Sequence, residues 1–196
     1  MKLPPIALLG DEAVKKIHGA ALHLLSHTGI HLPHQPARRM LLAAGAMEDD
    51  EGRVLLPPAM IEDAIAKAPS TVPWYDQTGT REIPLRINRV YFGPGSDSLY
   101  VVDRETEEIR RSRLQDVIDN VRVVEALPQF DFVMSMGLPE EVPADRIYPS
   151  VFLEMLLHST KPIIATSTCL ADLQTPYAMA VLVAGGEDAF RERPFF

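Results

Sequence analysis

The chain has 196 residues, enough for one sizeable core or one core with a small satellite domain. Its 27 acidic residues outweigh 19 Lys and Arg, a formal charge of -8, which argues against a nucleic-acid partner. Cys169 is the single cysteine, so no internal disulfide and no Cys-x-x-Cys zinc or redox pair can form.

No apolar run reaches the roughly 18 residues of a membrane span. The opening stretch MKLPPIALLGDEAV turns acidic without a clear small-residue cleavage site, unlike a signal peptide. The expectation is a cytoplasmic protein without a membrane partner. The basic residues Arg104, Arg110, Arg111 and Arg113 are interleaved with Glu105, Glu107, Glu108 and Asp116, so their field largely cancels.

In chain order, Asp11 is placed to cap a helix carrying Val14, Ile17, Ala21, Leu24 and Leu25 at helical spacing, with Gly29 as its stop. A second helix is predicted over about 36–44, with Leu41 and Leu42 facing inward. RVLLP is a short extended piece, and Pro57-Pro58 opens a third helix that Pro69 closes. Residues 72–113 carry β composition: RVYFGPGS, LYVVD and EEIRRSR read as strands, with a turn around 104–106. Ser112 is the expected N-cap of the next helix, with Gln115 three residues on, and Leu114, Val117, Ile118, Val121, Val124 and Leu127 form its buried stripe.

Beyond Pro128 the texture changes. FDFVMSMG and KPIIATST are apolar runs, each followed by a helical stretch, over about 145–159 and 172–184. Apolar strands alternating with helices predict parallel β-α units, with FDFVMSM beside PIIATST. The predicted organisation is 1–128, a helical segment with a small β element, and 129–196, the first units of an α/β arrangement. Two such units cannot close a β/α barrel, which needs eight strands. The fold class expected is therefore α/β, either an incomplete barrel or a small open α/β domain.

His23 and His27 are four apart on one helix, which is acceptable zinc spacing, but no Glu follows His23 as an HExxH site requires. His31 and His34 lie beyond the helix end. The four are read as solvated, with no structural metal, and His18 as a packed or capping residue. Gly93 and Gly95 lack the third glycine of a dinucleotide loop and the Gly-Lys-Ser/Thr of a phosphate loop, so a hairpin or loop is the plainer reading. Ser135, Met136 and Gly137 end the first apolar run, and Thr166, Ser167 and Thr168 end the second. In a β/α barrel these positions face substrate; in other settings they cap helices or make turns. Cys169 has no evident basic partner and is read as a small buried residue.

IHGAALHLLSHTGI, LLAAGAMEDDEGRVLLPPAMIEDAIAKAP, WYDQTG, VYFGPGSDSLYVVDRETEEIRRSRLQD and ALPQFDFVMSMG, in this order and spacing, resemble the N-terminal portion of the trimethylamine methyltransferase family. The resemblance spans the chain. It departs at Gly93-Pro94-Gly95-Ser96, where the family's element is usually Gly-Thr-Gly-Gly. It implies a β/α barrel enzyme, incomplete here and inactive alone, that moves a methyl group from a methylated or quaternary amine to the corrinoid of a partner protein, with no cofactor bound directly. Gly93, Gly95, Ser135, Met136, Gly137, Thr166 and Thr168 are the substrate-binding residues it implies, and the catalytic residues stay unassigned. A homo-oligomer is compatible with this reading. The alternative is a non-catalytic remnant or interaction module.

Overall fold

The computed structural model describes residues 8–196; the first seven residues of the opening stretch lie outside the described residues. The chain divides into two compact units, one ending at Ser70 and the other spanning Thr71–Phe196. The expected division at 128/129 falls inside the second unit. Among the described residues no helix is long and apolar enough to cross a membrane.

In the first unit, α1 (Asp11–His23) continues into a π-helical turn (Leu24–Thr28). Gly10 holds the N-cap position, and Asp11 sits in the first turn, where its charge opposes the positive end of the helix dipole. Gly29 stops the helix with φ 68°, and an added Cβ there would run into Leu55 and the Val54 carbonyl. α2 is Gln35–Ala43, with Leu41 and Leu42 half-buried, and α3 is Pro58–Lys67. Between them β1 (Met47–Glu48) pairs antiparallel with β2 (Val54–Leu55). Val54 is fully buried and is bridged on its other side to Ile30.

The second unit opens with β3 (Thr71–Val72) and β4 (Leu85–Arg86), an antiparallel pair, followed by the hairpin β5 (Tyr100–Val102) and β6 (Ile109–Arg111). The turn of this hairpin lies at 103–108, with Glu107 at φ 60°. RVYFGPGS is not a strand. The segment is extended, but its backbone bonds are scattered, so no continuous ladder forms.

Then α4 (Leu114–Ala126) begins one residue later than expected. Arg113 is its N-cap, and Asp116 accepts the Arg113 N–H at 2.8 Å. Ser112 is instead buried, and its hydroxyl has no partner. Val117, Val121 and Val124 are buried as the helical stripe requires, whereas Leu127, past the helix end, is exposed.

The two apolar runs lie side by side in parallel, as expected, but over a single bridge, Val133 to Ile163, rather than as long strands. Val133 N donates to Pro162 O (2.9 Å), and Ile164 N donates to Val133 O (3.0 Å). α5 (Ile147–His158) connects them. α6 (Leu170–Ala184) and α7 (Glu187–Glu192) follow, and the chain returns so that Ile163 N donates to Phe195 O at 2.8 Å. One core holds Val117, Val121 and Val124 of α4, Val151, Phe152 and Met155 of α5, Ala180 of α6, Phe190 of α7, and Val133, Ile163 and Phe195. The protein is thus a mixed helix-and-sheet molecule, with helices packed on one side of its parallel segments.

Candidate functional site

The Gly-rich segment runs alongside the first apolar run. Asp131 N donates to Phe92 O (2.6 Å), Met136 N to Gly95 O (3.1 Å) and Leu138 N to Ser98 O (3.1 Å). The Asp131 carboxylate accepts the Phe92 N–H in return (3.0 Å) and pairs with Arg81 (3.1 Å). This course carries Asp97 to the far ends of both apolar runs. Thr166 Oγ1 donates to Asp97 Oδ1 at 3.0 Å, and Ser96 Oγ donates to Oδ2 at 3.3 Å.

Asp97 (φ 61°) and Met136 (φ 56°) both occupy the left-handed region. A short aspartate tolerates this more readily than methionine does, so the strain falls mainly at Met136. Tyr148, in the first turn of α5, has its phenol pKa pushed up by burial first, and then by the negative charges of Asp97 and Asp172. It therefore stays protonated and able to donate a hydrogen bond. Asp172 accepts from Thr168 Oγ1 (2.6 Å) and Thr168 N (3.1 Å) at the start of α6, and the Thr168 hydroxyl bond holds its carboxyl below the usual range. Asp97 with its hydroxyl partners and Asp172 with Thr168 thus lie where the two apolar runs end, and Tyr148 is near enough to both carboxylates for their charge to act on its phenol.

The expected site residues divide by role. Thr166 belongs to this cluster. Thr168 donates its N–H and hydroxyl to Asp172 in the first turn of α6. Met136 packs against the helix-side core, and Ser135 is buried. Gly137 lies against Ser112, whose hydroxyl leaves no room for a Cβ, and Gly93 lies under the Phe132 ring in the same way. Gly95 contributes its carbonyl to Met136. Cys169 is exposed rather than buried, at the N-cap of α6.

Asp97, Tyr148 and Asp172 were not singled out from sequence. Asp172 sits in the first turn of a predictable helix, which is a legible signal. The place of Asp97 depends on a partner 69 residues away.

The histidines lie elsewhere. His23 and His27 stack with ring centroids 4.0 Å apart, His18 Nε2 bonds Glu62 at 2.7 Å, and His34 Nδ1 accepts the Ala37 N–H as the cap of α2. Among the described residues no three His, Cys, Asp or Glu side chains are grouped as metal ligands would be.

A mixed helix-and-sheet protein with oxygen donors collected at its strand ends fits a small polar or cationic ligand. The chain belongs to the trimethylamine methyltransferase family: the family model described as Trimethylamine methyltransferase (MTTB) matches residues 1–196. It is 31% identical over 197 residues to Trimethylamine methyltransferase MttB of Desulfitobacterium hafniense (strain DSM 10664 / DCB-2), with 97% of this chain and 39% of that protein covered. It is 20% identical over 193 residues to Glycine betaine methyltransferase of Desulfitobacterium hafniense (strain Y51), with 98% of this chain and 40% of that protein covered. The chain therefore spans about two fifths of the length of these relatives.

Proposed function

We propose that this chain forms the N-terminal portion of a β/α barrel methyltransferase that demethylates a small methylated amine, trimethylamine or a betaine. The family match along the whole chain carries the reading. In this organisation residues 1–128 precede the barrel and residues 129–196 supply its first β/α units.

The strand-end cluster suits such a substrate. A quaternary ammonium has no proton to donate, so it is held by nearby negative charge and by the face of an aromatic ring. Asp97 supplies the charge and Tyr148 the ring. Asp97 is fixed by the hydroxyls of Ser96 and Thr166, so its carboxylate does not have to be ordered when substrate arrives.

The methyl acceptor in this reading is a corrinoid carried by a partner protein, which in its reduced state supplies the nucleophile. The side chains bonded to Asp97 are the hydroxyls of Ser96 and Thr166, an oxygen set that suits an ammonium better than a cobalt ion. The chain's own residues then bind and orient the amine.

The test is methyl transfer from trimethylamine or glycine betaine to a reduced corrinoid protein. The 196-residue chain alone is expected to stay at the protein-free background, because a barrel site is assembled from loops after several strands. In a full-length chain carrying this sequence, Asp97→Asn is expected to lower kcat/KM by roughly 10- to 100-fold, the effect of losing about 1.4–3 kcal/mol of charge attraction. Asp188→Asn, on the exposed face of α7, is expected to leave it unchanged. Full turnover by Asp97→Asn would remove Asp97 from the site, and turnover by the chain alone would overturn the incomplete-barrel reading.

A further inference from the structure

The β5–β6 hairpin turns its apolar side chains outward, the reverse of an antiparallel pair with one wet face. Side chains alternate along a strand, so Val101 and Arg110 share one face and Tyr100, Val102, Ile109 and Arg111 share the other. The first face is turned toward α4, where Arg110 bonds Asp116. On the second, Tyr100, Val102 and Ile109 are 54%, 68% and 75% exposed. Val102 stands opposite Ile109 in register, and Tyr100 opposite Arg111, whose guanidinium lies 4.7 Å from the Tyr100 ring centre. These four side chains form one contiguous patch. Single exposed apolar residues are ordinary on a surface, but contiguous ones mark interaction sites. The charges around the patch are sorted by end. The turn end carries Glu105, Glu107 and Glu108 against Arg104 alone, and the other end carries Arg111 and Arg113, all of them exposed. Among the described residues none of these six charges enters an ion pair, because Arg110 takes up both Asp103 and Asp116.

We propose that this hairpin face is the contact of a weak homodimer, in which two copies pack face to face about a two-fold axis that crosses the strands. Such an axis runs the two hairpins antiparallel, so each contact is made twice. The acidic turn of each copy then lies over the arginine end of the other. Val102 and Ile109 of each copy rest on the Tyr100 ring and the aliphatic stem of Arg111 of the other. Turn over turn would instead set three carboxylates against three. The charge pattern is therefore self-complementary in the antiparallel orientation, and this selects a second copy as the occupant. A uniformly acidic or uniformly basic surface would meet like charge at one end of the patch. The patch is small beside the roughly 800 Å² per partner of a standard interface, so the expected Kd is about 10–100 µM. The inference does not depend on the amine chemistry.

The experiment is sedimentation velocity on the purified chain, from well below to well above that concentration. The expected result is a monomer–dimer equilibrium that weakens as salt is added. Ile109→Asp is expected to weaken the dimer at least tenfold with the circular dichroism of the chain kept. Ile164→Asp, at a partly exposed position on the parallel segments, is expected to leave it unchanged. Charge exchange tests the orientation. Glu107→Lys with Glu108→Lys makes both ends of the patch basic, and Arg111→Glu with Arg113→Glu makes both acidic. Each double variant alone is expected to be monomeric, and the two mixed are expected to form a 1:1 heterodimer. A chain that stays monomeric throughout, a dimer that Ile164→Asp dissolves and Ile109→Asp spares, or exchanged variants that do not pair when mixed would each overturn the proposal.

Discussion

At Ser112 and Gly137 two small residues are locked together. The Ser112 hydroxyl is buried without a partner, and the space it fills is the space a side chain at 137 would need. Burying an unpaired hydroxyl costs about 1–3 kcal/mol, so Ser112→Ala is expected to be neutral or to stabilise by about 1 kcal/mol. Gly137→Ala alone is expected to destabilise by about 1–3 kcal/mol through overpacking. The double variant should recover most of that loss, because without the hydroxyl the nearest Ser112 atom to the new Cβ is at 3.4 Å, ordinary contact. Urea midpoints for the four proteins of the cycle measure the coupling, and simple additivity would show that the contact is not the cause. Gly93→Ala, against the Phe132 ring, has no comparable partner change and is expected to destabilise in the same range. Neither pairing was legible in the sequence, where Gly93 read most plainly as part of a hairpin or loop and Gly137 as the end of an apolar run that would face substrate in a barrel. A glycine that makes room for a neighbour's side chain looks the same in sequence as one that makes room for a substrate.

At the scale of the element, Arg110 ties the β5–β6 hairpin to α4. It donates to Asp103 in the hairpin turn (2.8 Å) and, through both terminal nitrogens, to Asp116 in the first turn of α4 (2.7 and 2.9 Å). The Arg110 hydrogen bond is the largest cause holding the Asp103 carboxyl down to about 2, and it also holds Asp116 below its usual range. A carboxyl with a depressed folded pKa contributes stability that is present above its unfolded pKa and is lost as pH falls through the folded value. The contribution should therefore be complete above about pH 4 and fade toward pH 2. Arg110→Gln is expected to lower stability at neutral pH and to flatten this acid limb; urea midpoints between pH 2 and 7 test both, and an unchanged slope would remove the pairing from the account. The interleaved charges at 103–116 were legible as a mutually cancelling group, and the structure adds which cation takes which anion. The start of α4 was misplaced by one residue because Ser112 satisfied the local capping preference, while tertiary packing buried it and left the capping to Asp116. RVYFGPGS had strand composition, but β propensity records fitness for a pleated, half-buried surface, and here the glycines and Pro94 left an extended segment with scattered bonds.

For the whole molecule, the order of helices, the antiparallel hairpin and the adjacency of the two late apolar runs were legible, because burial on both faces makes parallel segments uniformly apolar. Asp97 was not, because its meeting with Thr166 where the apolar runs end is made by tertiary structure alone. The division of the chain was drawn from a change of texture at 128/129, whereas compactness divides it at Ser70. The physical difference lies in the cores. Every residue of the main core lies within Thr71–Phe196, where α4 packs on α5 and on the parallel segments, so texture changes at 129 without any break in packing. Among its described residues the first unit holds little more than Val54 and Ala46 as buried apolar residues, too small a core for much independent stability. Residues 71–196 expressed alone are therefore expected to unfold cooperatively, with a midpoint within a few degrees of that of the same residues in the whole chain. Residues 8–70 alone are expected to show weak, non-cooperative unfolding. Hydrogen exchange on the whole chain should place the slowest amides in α4, α5 and around Val133 and Ile163, and those of α1 to α3 should exchange earlier. The Thr71–Phe196 fragment failing to fold, or protection as strong in α1 as in α4, would show that the core of the second unit does not by itself set the stability of this chain.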